Sequence, residues 1–256
     1  MKVQVLGCSG GIGVGEFTTC VRINEDILLD AGTGLGCLTQ AELTQLRHVF
    51  ITHSHLDHVC LLPMLIDNQF ELLTSPIHVY GVSPVLESLH QHIFNWKIWP
   101  DFTQLPSADA PVMAFTTLTS NEPFELGGVS FTPFDVEHVV PTTGYAIVSE
   151  GGRLFVFTSD TTLNEGLIKS LNQMGPIHSL MIECAMPSRM QDLAIASKHM
   201  TPTMLKELLL CLGTMPERIL ISHIKPYYVD EVEAELMSLH LKSELVLLSS
   251  GQFFFL

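Results

Sequence analysis

The stretch Ile51-Thr52-His53-Ser54-His55-Leu56-Asp57-His58 places three histidines and an aspartate within six residues. Residues 48–52 read as a buried strand, and Val59, Leu62, Leu65 and Ile66 recur at helical spacing beyond it. The polar residues therefore occupy a strand-to-helix loop. On extended backbone His53 and His55 project to the same side and can share one metal ion. Asp57 and His58, a turn later, face a neighbouring position and can hold a second. Imidazole and carboxylate without thiolate suit Zn²⁺ or a similar borderline ion, whereas all-oxygen shells suit Mg²⁺ or Ca²⁺.

Two ions need more ligands than one loop carries, and later strand ends offer them. His138 follows the run 131–136 and precedes Pro141-Thr142-Thr143-Gly144. Asp160 closes the apolar Leu154-Phe155-Val156-Phe157 within Thr158-Ser159-Asp160-Thr161. His223 closes Ile219-Leu220-Ile221 within Ser222-His223-Ile224-Lys225-Pro226. A polar residue at a strand end is ordinary when it stands alone. Three of them, in a chain that already carries the histidine-rich loop, read as ligands.

Around these positions β-type runs alternate with helix-type runs through all 256 residues. Strands are expected at 3–6, 18–23, 27–29, 48–52, 77–80, 112–115, 129–134, 144–148, 154–158, 179–182, 218–222 and 245–248. Helices are expected at 39–46, after His58, and at 83–94, 163–171, 202–212 and 229–239, with Ser83-Pro84 as cap and first position. No Pro/Ser-rich linker, charge run or repeat divides the sequence. Residues 1–256 read as a single mixed α/β domain of two packed sheets with helices outside.

Twelve Lys and Arg against 27 Asp and Glu give a formal net charge of −15, and 46% of residues are apolar. The apolar share excludes disordered or low-complexity chain. The acidic balance works against nucleic acid and anionic membranes, whose attraction comes from basic side chains. No run reaches the roughly 18 apolar residues of a membrane span, and Met1-Lys2-Val3-Gln4-Val5-Leu6-Gly7 alternates like a strand and not like a leader. A soluble, cytoplasmic protein is expected. Cys8, Cys20, Cys37, Cys60, Cys184 and Cys211 form no Cys-x-x-Cys pair and read as small apolar fillers. Gly10-Gly11-Ile12-Gly13-Val14-Gly15 lacks the spacing of a dinucleotide fingerprint and is followed by a strand, not a helix.

The loop matches the His-x-His-x-Asp-His signature of the metallo-β-lactamase superfamily, and His138, Asp160 and His223 follow in that family's order. The chain resembles this superfamily over nearly its whole length. The resemblance implies a four-layer αββα sandwich. It also implies a dinuclear site, with His53, His55 and His138 on one ion, Asp57, His58 and His223 on the other, and Asp160 bridging. Two divalent ions are implied, Zn²⁺ first, with Mn²⁺ or Fe²⁺ as alternatives. Asp30, in Leu28-Leu29-Asp30-Ala31-Gly32, matches the family's early Asp-x-Gly turn and reads as support for a ligand.

Fold alone does not give the substrate. Flavodiiron members usually carry Glu where His55 stands, which argues against reduction of oxygen or nitric oxide. Val59-Cys60-Leu61-Leu62 replaces the small glycines common in glyoxalase II and lactonase-like members. His55-Leu56-Asp57-His58 with its apolar helix, and His92-Ile93-Phe94-Asn95-Trp96-Lys97-Ile98-Trp99-Pro100-Asp101, resemble class II 3′,5′-cyclic-nucleotide phosphodiesterases. Ile182-Glu183-Cys184-Ala185 and Ser197-Lys198-His199-Met200-Thr201-Pro202 fit the wider branch that includes tRNase Z. There His199 would protonate the alkoxide leaving group, for which an imidazole of pKa roughly 6.5 is suited. Thr201 and Pro202 open a helix behind it, whose positive end disfavours imidazolium. Glu183 would offset that effect and fix the tautomer.

The expected activity is hydrolysis of 3′,5′-cyclic nucleotides to 5′-monophosphates by a hydroxide shared between ions roughly 3.5–4 Å apart. Asp57 would orient that hydroxide as well as bind metal. Phe94, Trp96 and Trp99 either line a base pocket or pack as core or subunit contact, and Asn95 shares that ambiguity. Scattered basic residues suit a small cyclic nucleotide better than RNA. The alternatives are a hydrolase of tRNA 3′ ends, of another phosphodiester or of a lactone, and a non-catalytic metal-binding protein of the same fold. Retention of all seven ligands weighs against the last. The resemblance also implies a homodimer.

Overall fold

The computed structural model describes residues 1–256. The chain opens with strands β1 (Lys2–Gly7), β2 (Cys20–Ile23) and β3 (Ile27–Leu29), helix α1 (Gln40–Leu43) and strand β4 (His48–Phe50). Helices α2 (Leu56–Val59) and α3 (Leu62–Gln69), strand β5 (Ile77–Gly81) and helix α4 (Ser83–His92) follow. A small ribbon, β6 (Pro106–Ser107) and β7 (Ala110–Pro111), leads to β8 (Met113–Thr117), β9 (Phe124–Leu126), β10 (Val129–Val136), β11 (Thr142–Val148) and β12 (Leu154–Phe157). The remainder is α5 (Glu165–Gln173), β13 (Ser179–Glu183), α6 (Gln191–Ser197), α7 (Pro202–Leu210), β14 (Arg218–Ser222), α8 (Val229–Met237), β15 (Glu244–Leu247) and β16 (Phe253–Phe255).

One sheet runs β16-β1-β2-β3-β4-β5-β8 and the other β15-β14-β13-β12-β11-β10-β9. Successive strand residues point to opposite faces, and here both faces are covered. In β12, Phe155 and Phe157 point between the sheets while Val156 points at the helices; in β14, Leu220 points inward and Ile219 and Ile221 outward. Double coverage explains why these strands read as unbroken apolar runs. Aromatic rings fill the layer between the sheets, where Phe50 stacks on Phe131 and Tyr80 at 4.3 and 4.5 Å between centroids. Helices α1–α4 cover one outer face and α5–α8 the other. The architecture is an α/β fold of two mixed sheets flanked by helices, as the resemblance implied.

Strand direction gathers the site. β3, β4 and β5 are parallel, β12, β13 and β14 are parallel, and β1 and β10 match their neighbours' direction through antiparallel pairs. The chain therefore leaves β1, β3, β4, β10, β12, β13 and β14 along one edge of the sandwich. Cross-sheet bonds join these exits, among them Thr143 N–H to the Thr52 carbonyl (3.0 Å) and His223 N–H to the Cys8 carbonyl (2.6 Å).

Several details differ from expectation. The helical pattern after His58 breaks into α2 and α3, because Pro63 lacks the N–H that would continue the first turn. Val82, not Ser83, caps α4, and Ser83 lies inside it with its hydroxyl on Glu87 (2.6 Å). Cys37 and Cys211 stand exposed, so the filler reading fails for those two. No helix is long and apolar enough to cross a membrane.

Candidate metal centre

Two ligand groups meet at the sandwich edge. His53, His55, His138 and Asp160 bring one donor atom each within 4.8 Å of one another, and Asp57, His58, Asp160 and His223 do the same. Asp160 belongs to both. Its Oδ2 lies 3.8 Å from His53 Nε2 and 3.9 Å from His138 Nε2, while its Oδ1 lies 3.4 Å from His58 Nε2 and 3.2 Å from His223 Nδ1. Asp57 Oδ2 approaches the second group, 3.8 Å from His58 Nε2 and 3.9 Å from His223 Nε2.

The donor set fits divalent cations. His55 Nδ1 lies 3.1 Å from His53 Nε2 and 3.3 Å from His138 Nε2. Two nitrogens on a tetrahedral zinc ion would stand about 3.3 Å apart for typical Zn–N bonds. In the second group His58 Nε2 and His223 Nδ1 are buried without a hydrogen-bond partner. Unpartnered buried nitrogens are costly, and a cation between them and the carboxylates would satisfy them. The buried His/Asp clusters are thus consistent with a dinuclear metal site.

A hydrogen-bonded layer aims the rings. His58 Nδ1–H donates to Asp30 Oδ2 (2.7 Å), leaving Nε2 for an ion, and His138 Nδ1–H donates to the Lys198 carbonyl (3.1 Å) with the same effect. Asp30 also accepts from Thr52 N–H (2.8 Å) and from the Thr52 hydroxyl (2.8 Å). That hydroxyl in turn accepts from Ser159 Oγ (2.8 Å) and His53 Nδ1–H (3.0 Å). Asp30 therefore steadies both groups. Thr52 and Ser159 were not singled out in the sequence, because a strand-end hydroxyl gains this role only when Asp30 reaches it from another strand.

Local sequence makes these approaches possible. Gly32 closes the turn after Asp30, and a methyl there would overlap the Asp57 carbonyl and sit 2.5 Å from Thr18 Oγ1. Asp30, Ser159, Lys198 and His223 adopt left-handed backbone, with φ of 58°, 57°, 54° and 59°. Such conformations cost on the order of 1–3 kcal/mol each and collect where function demands them.

Burial lowers the pKa of His53, His55 and His138, which keeps the rings neutral, with one nitrogen of each bearing no proton. Burial also leads for His223, pushed down to about 4. Burial would raise Asp160, but His223, His58 and His53 outweigh it and hold the carboxylate ionised.

His199 stands beside the two ligand groups, in a third cluster with Asp160 and Glu183. Its Nδ1–H donates to Glu183 Oε1 (2.8 Å), and Glu183 also accepts from Thr161 N–H (2.8 Å) and Met200 N–H (3.1 Å). Glu183 ends β13 and is buried, while Thr201 caps α7 just after His199 by accepting from Met204 N–H. Burial opposes a charge on His199, yet Glu183 and Asp160 outweigh it and raise its pKa.

A family model described as "Beta-lactamase superfamily domain" matches residues 25–224. The chain belongs to the metallo-β-lactamase superfamily. This metallo-β-lactamase-fold hydrolase is 25% identical to a probable 3′,5′-cyclic-nucleotide phosphodiesterase of Yersinia pestis over 279 aligned positions, 89% of this chain and 79% of that protein. Unliganded yeast PDE1 superposes with a TM-score of 0.82 at 18% identity, covering 100% of this chain and 99% of that one. The short form of human tRNase Z gives 0.70 at 20% identity, covering 99% and 98%. The superfamily member described here is a distant relative of class II cyclic-nucleotide phosphodiesterases and tRNase Z.

The aromatic segment after α4 falls elsewhere. Because α4 starts where β5 reaches the site edge, its ten residues carry the chain about 15 Å away again. Phe94 is fully buried in the core beneath α3 and α4, and Trp99 packs against that core. Asn95 Oδ1 accepts from the N–H groups of Lys97 and Ile98, closing a turn. For Phe94 and Trp99 the core reading holds, whereas Trp96 stands exposed and packs in no core.

Proposed function

We infer that the protein is a metal-dependent phosphodiesterase that hydrolyses 3′,5′-cyclic nucleotides to nucleoside 5′-monophosphates. The observation that carries this reading is the His199–Glu183 pair at the edge of the ligand cluster. An alkoxide leaves phosphorus poorly unless a proton reaches it as the bond breaks. His199 is built for that delivery: Glu183 fixes Nδ1–H, which leaves Nε2 to face the site, and the neighbouring carboxylates favour the protonated ring. The Yersinia relative, a probable 3′,5′-cyclic-nucleotide phosphodiesterase, supports the choice of substrate class.

Two bound divalent ions, zinc first, would activate a shared water and take up charge on the phosphoryl oxygens. His53, His55 and His138 would hold one, Asp57, His58 and His223 the other, with Asp160 between them. Asp57, its side chain 33% exposed, would orient the incoming water as well as bind metal. Glu183 stays buried and receives no substrate; it keeps the His199 ring in place. Only 12 basic residues in an acidic chain favour a small cyclic nucleotide over an RNA polyanion. Purified protein should release 5′-AMP from cyclic AMP, lose that activity to a chelator and regain it with Zn²⁺ or Mn²⁺. Turnover of lactones with none of cyclic nucleotides would contradict the reading.

A further inference from the structure

Beside the second ligand group two surface segments are locked together. The glycine-rich loop 10–15 after β1 packs on the segment 224–228 after β14. Gly10 N–H donates to the Ile224 carbonyl (2.9 Å), and Lys225 Nζ donates to the Gly10 carbonyl (3.3 Å). Glycine is needed at position 10, since a methyl would overlap the His223 carbonyl and lie 3.0 Å from its ring Cδ2. The loop is therefore seated directly against a metal-facing histidine.

Past that contact the side chains turn to solvent. Ile12 is 79%, Val14 107% and Tyr227 90% exposed, and Pro226, next to Tyr227, lies 3.1 Å from where a Gly11 methyl would stand. Apolar side chains held in water contribute nothing to folding, and three of them on two joined segments beside the ligand cluster offer a binding surface. The same unit carries an unneutralised cation. Lys198 is paired with Glu137 at 3.1 Å, whereas Lys225 makes no ion pair and its charge reaches His199.

Resting on the phosphodiesterase reading, we propose that loop 10–15 and segment 224–228 form the recognition half of the site. Lys225 engages a non-bridging phosphoryl oxygen, while Tyr227, Ile12 and Val14 pack against a flat apolar group, a nucleobase or aryl ring, carried by that phosphate. An ammonium suits phosphate as a point charge, and an exposed tyrosine ring gives a base a face to stack on. One free cation fits a small phosphate ester, not a long polyanion.

Calorimetric titration of zinc-loaded protein with inorganic phosphate and with adenosine 5′-monophosphate tests this. Wild type should bind AMP tighter than phosphate by about ten-fold or more, and Tyr227→Ala should remove most of that margin without weakening phosphate. The double change Ile12→Ser with Val14→Ser should narrow it too, and Lys225→Met should weaken both ligands together. These positions are at the surface, so unchanged melting temperature and zinc content will show that the variants fold. Equal wild-type affinities, or a margin that survives both apolar substitutions, would overturn the proposal. So would variants that change the sedimentation coefficient but not the margin, which would assign the patch to a contact between copies. Absence of cyclic-nucleotide hydrolysis in wild type would instead defeat the functional reading, since the AMP margin is read without turnover.

Discussion

The two ligand groups share Asp160 but differ in charge. His53, His55 and His138 are neutral donors whose pKa values burial pushes down. The second group adds the carboxylate of Asp57 and rests on Asp30. Burial opposes a charge on His58, yet Asp160 and Asp30 outweigh it and raise its pKa well above the ordinary value. Without an ion, His58 therefore favours the charged ring, whereas His223 and the three histidines of the first group favour the neutral one. A ligand must shed its proton to bind metal, so the first group is ready for an ion over a wider pH range. The difference predicts that an ion in the first group would resist acid better than an ion in the second.

The largest effect should follow Asp160→Ala, because it removes the oxygen donor common to both groups. Metal analysis should find both ions lost and hydrolysis at background; one retained ion would show the groups to be independent. His199→Ala should lower kcat about 10²–10⁴-fold on a ribose leaving group with zinc content unchanged. With a p-nitrophenolate leaving group, which needs no proton, the loss should be far smaller. Asp30→Asn should weaken metal affinity by about 10–100-fold, more for the second ion, because Asp30 touches His58 directly and reaches His53 only through Thr52. The smallest effect is in pH. As pH falls through the raised pKa of His58, its proton competes with the second ion, while the lowered pKa values of the first trio protect the other. Dialysis at stepwise lower pH should release one equivalent before the second, and simultaneous release would break the contrast.

The clustering of these His and Asp residues was legible because each lies in a dense local motif or ends an apolar strand, and strand order then carries those ends to one edge. Glu183 and His199 were legible through resemblance alone, since Ser179-Leu180-Met181-Ile182 before Glu183 reads as ordinary core. The bonds of Thr52 and Ser159 could not be read, because the first needs Asp30 from the neighbouring strand and the second arises only when the two sheets meet. Helix α6 escaped notice because its Leu193 and Ile195 are exposed and leave no apolar stripe to follow. The aromatic segment stayed open between two readings for a topological reason: α4 begins at the site edge and ends away from it, which spacing along the chain does not reveal.

Anomalous diffraction from zinc-soaked crystals tests the central claim most directly. Two peaks are predicted, one bonded at about 2.0–2.2 Å to His53, His55, His138 and Asp160, the other at like distances to Asp57, His58, Asp160 and His223. Full soaking with no peak among these side chains, or zinc bound only elsewhere, would contradict it.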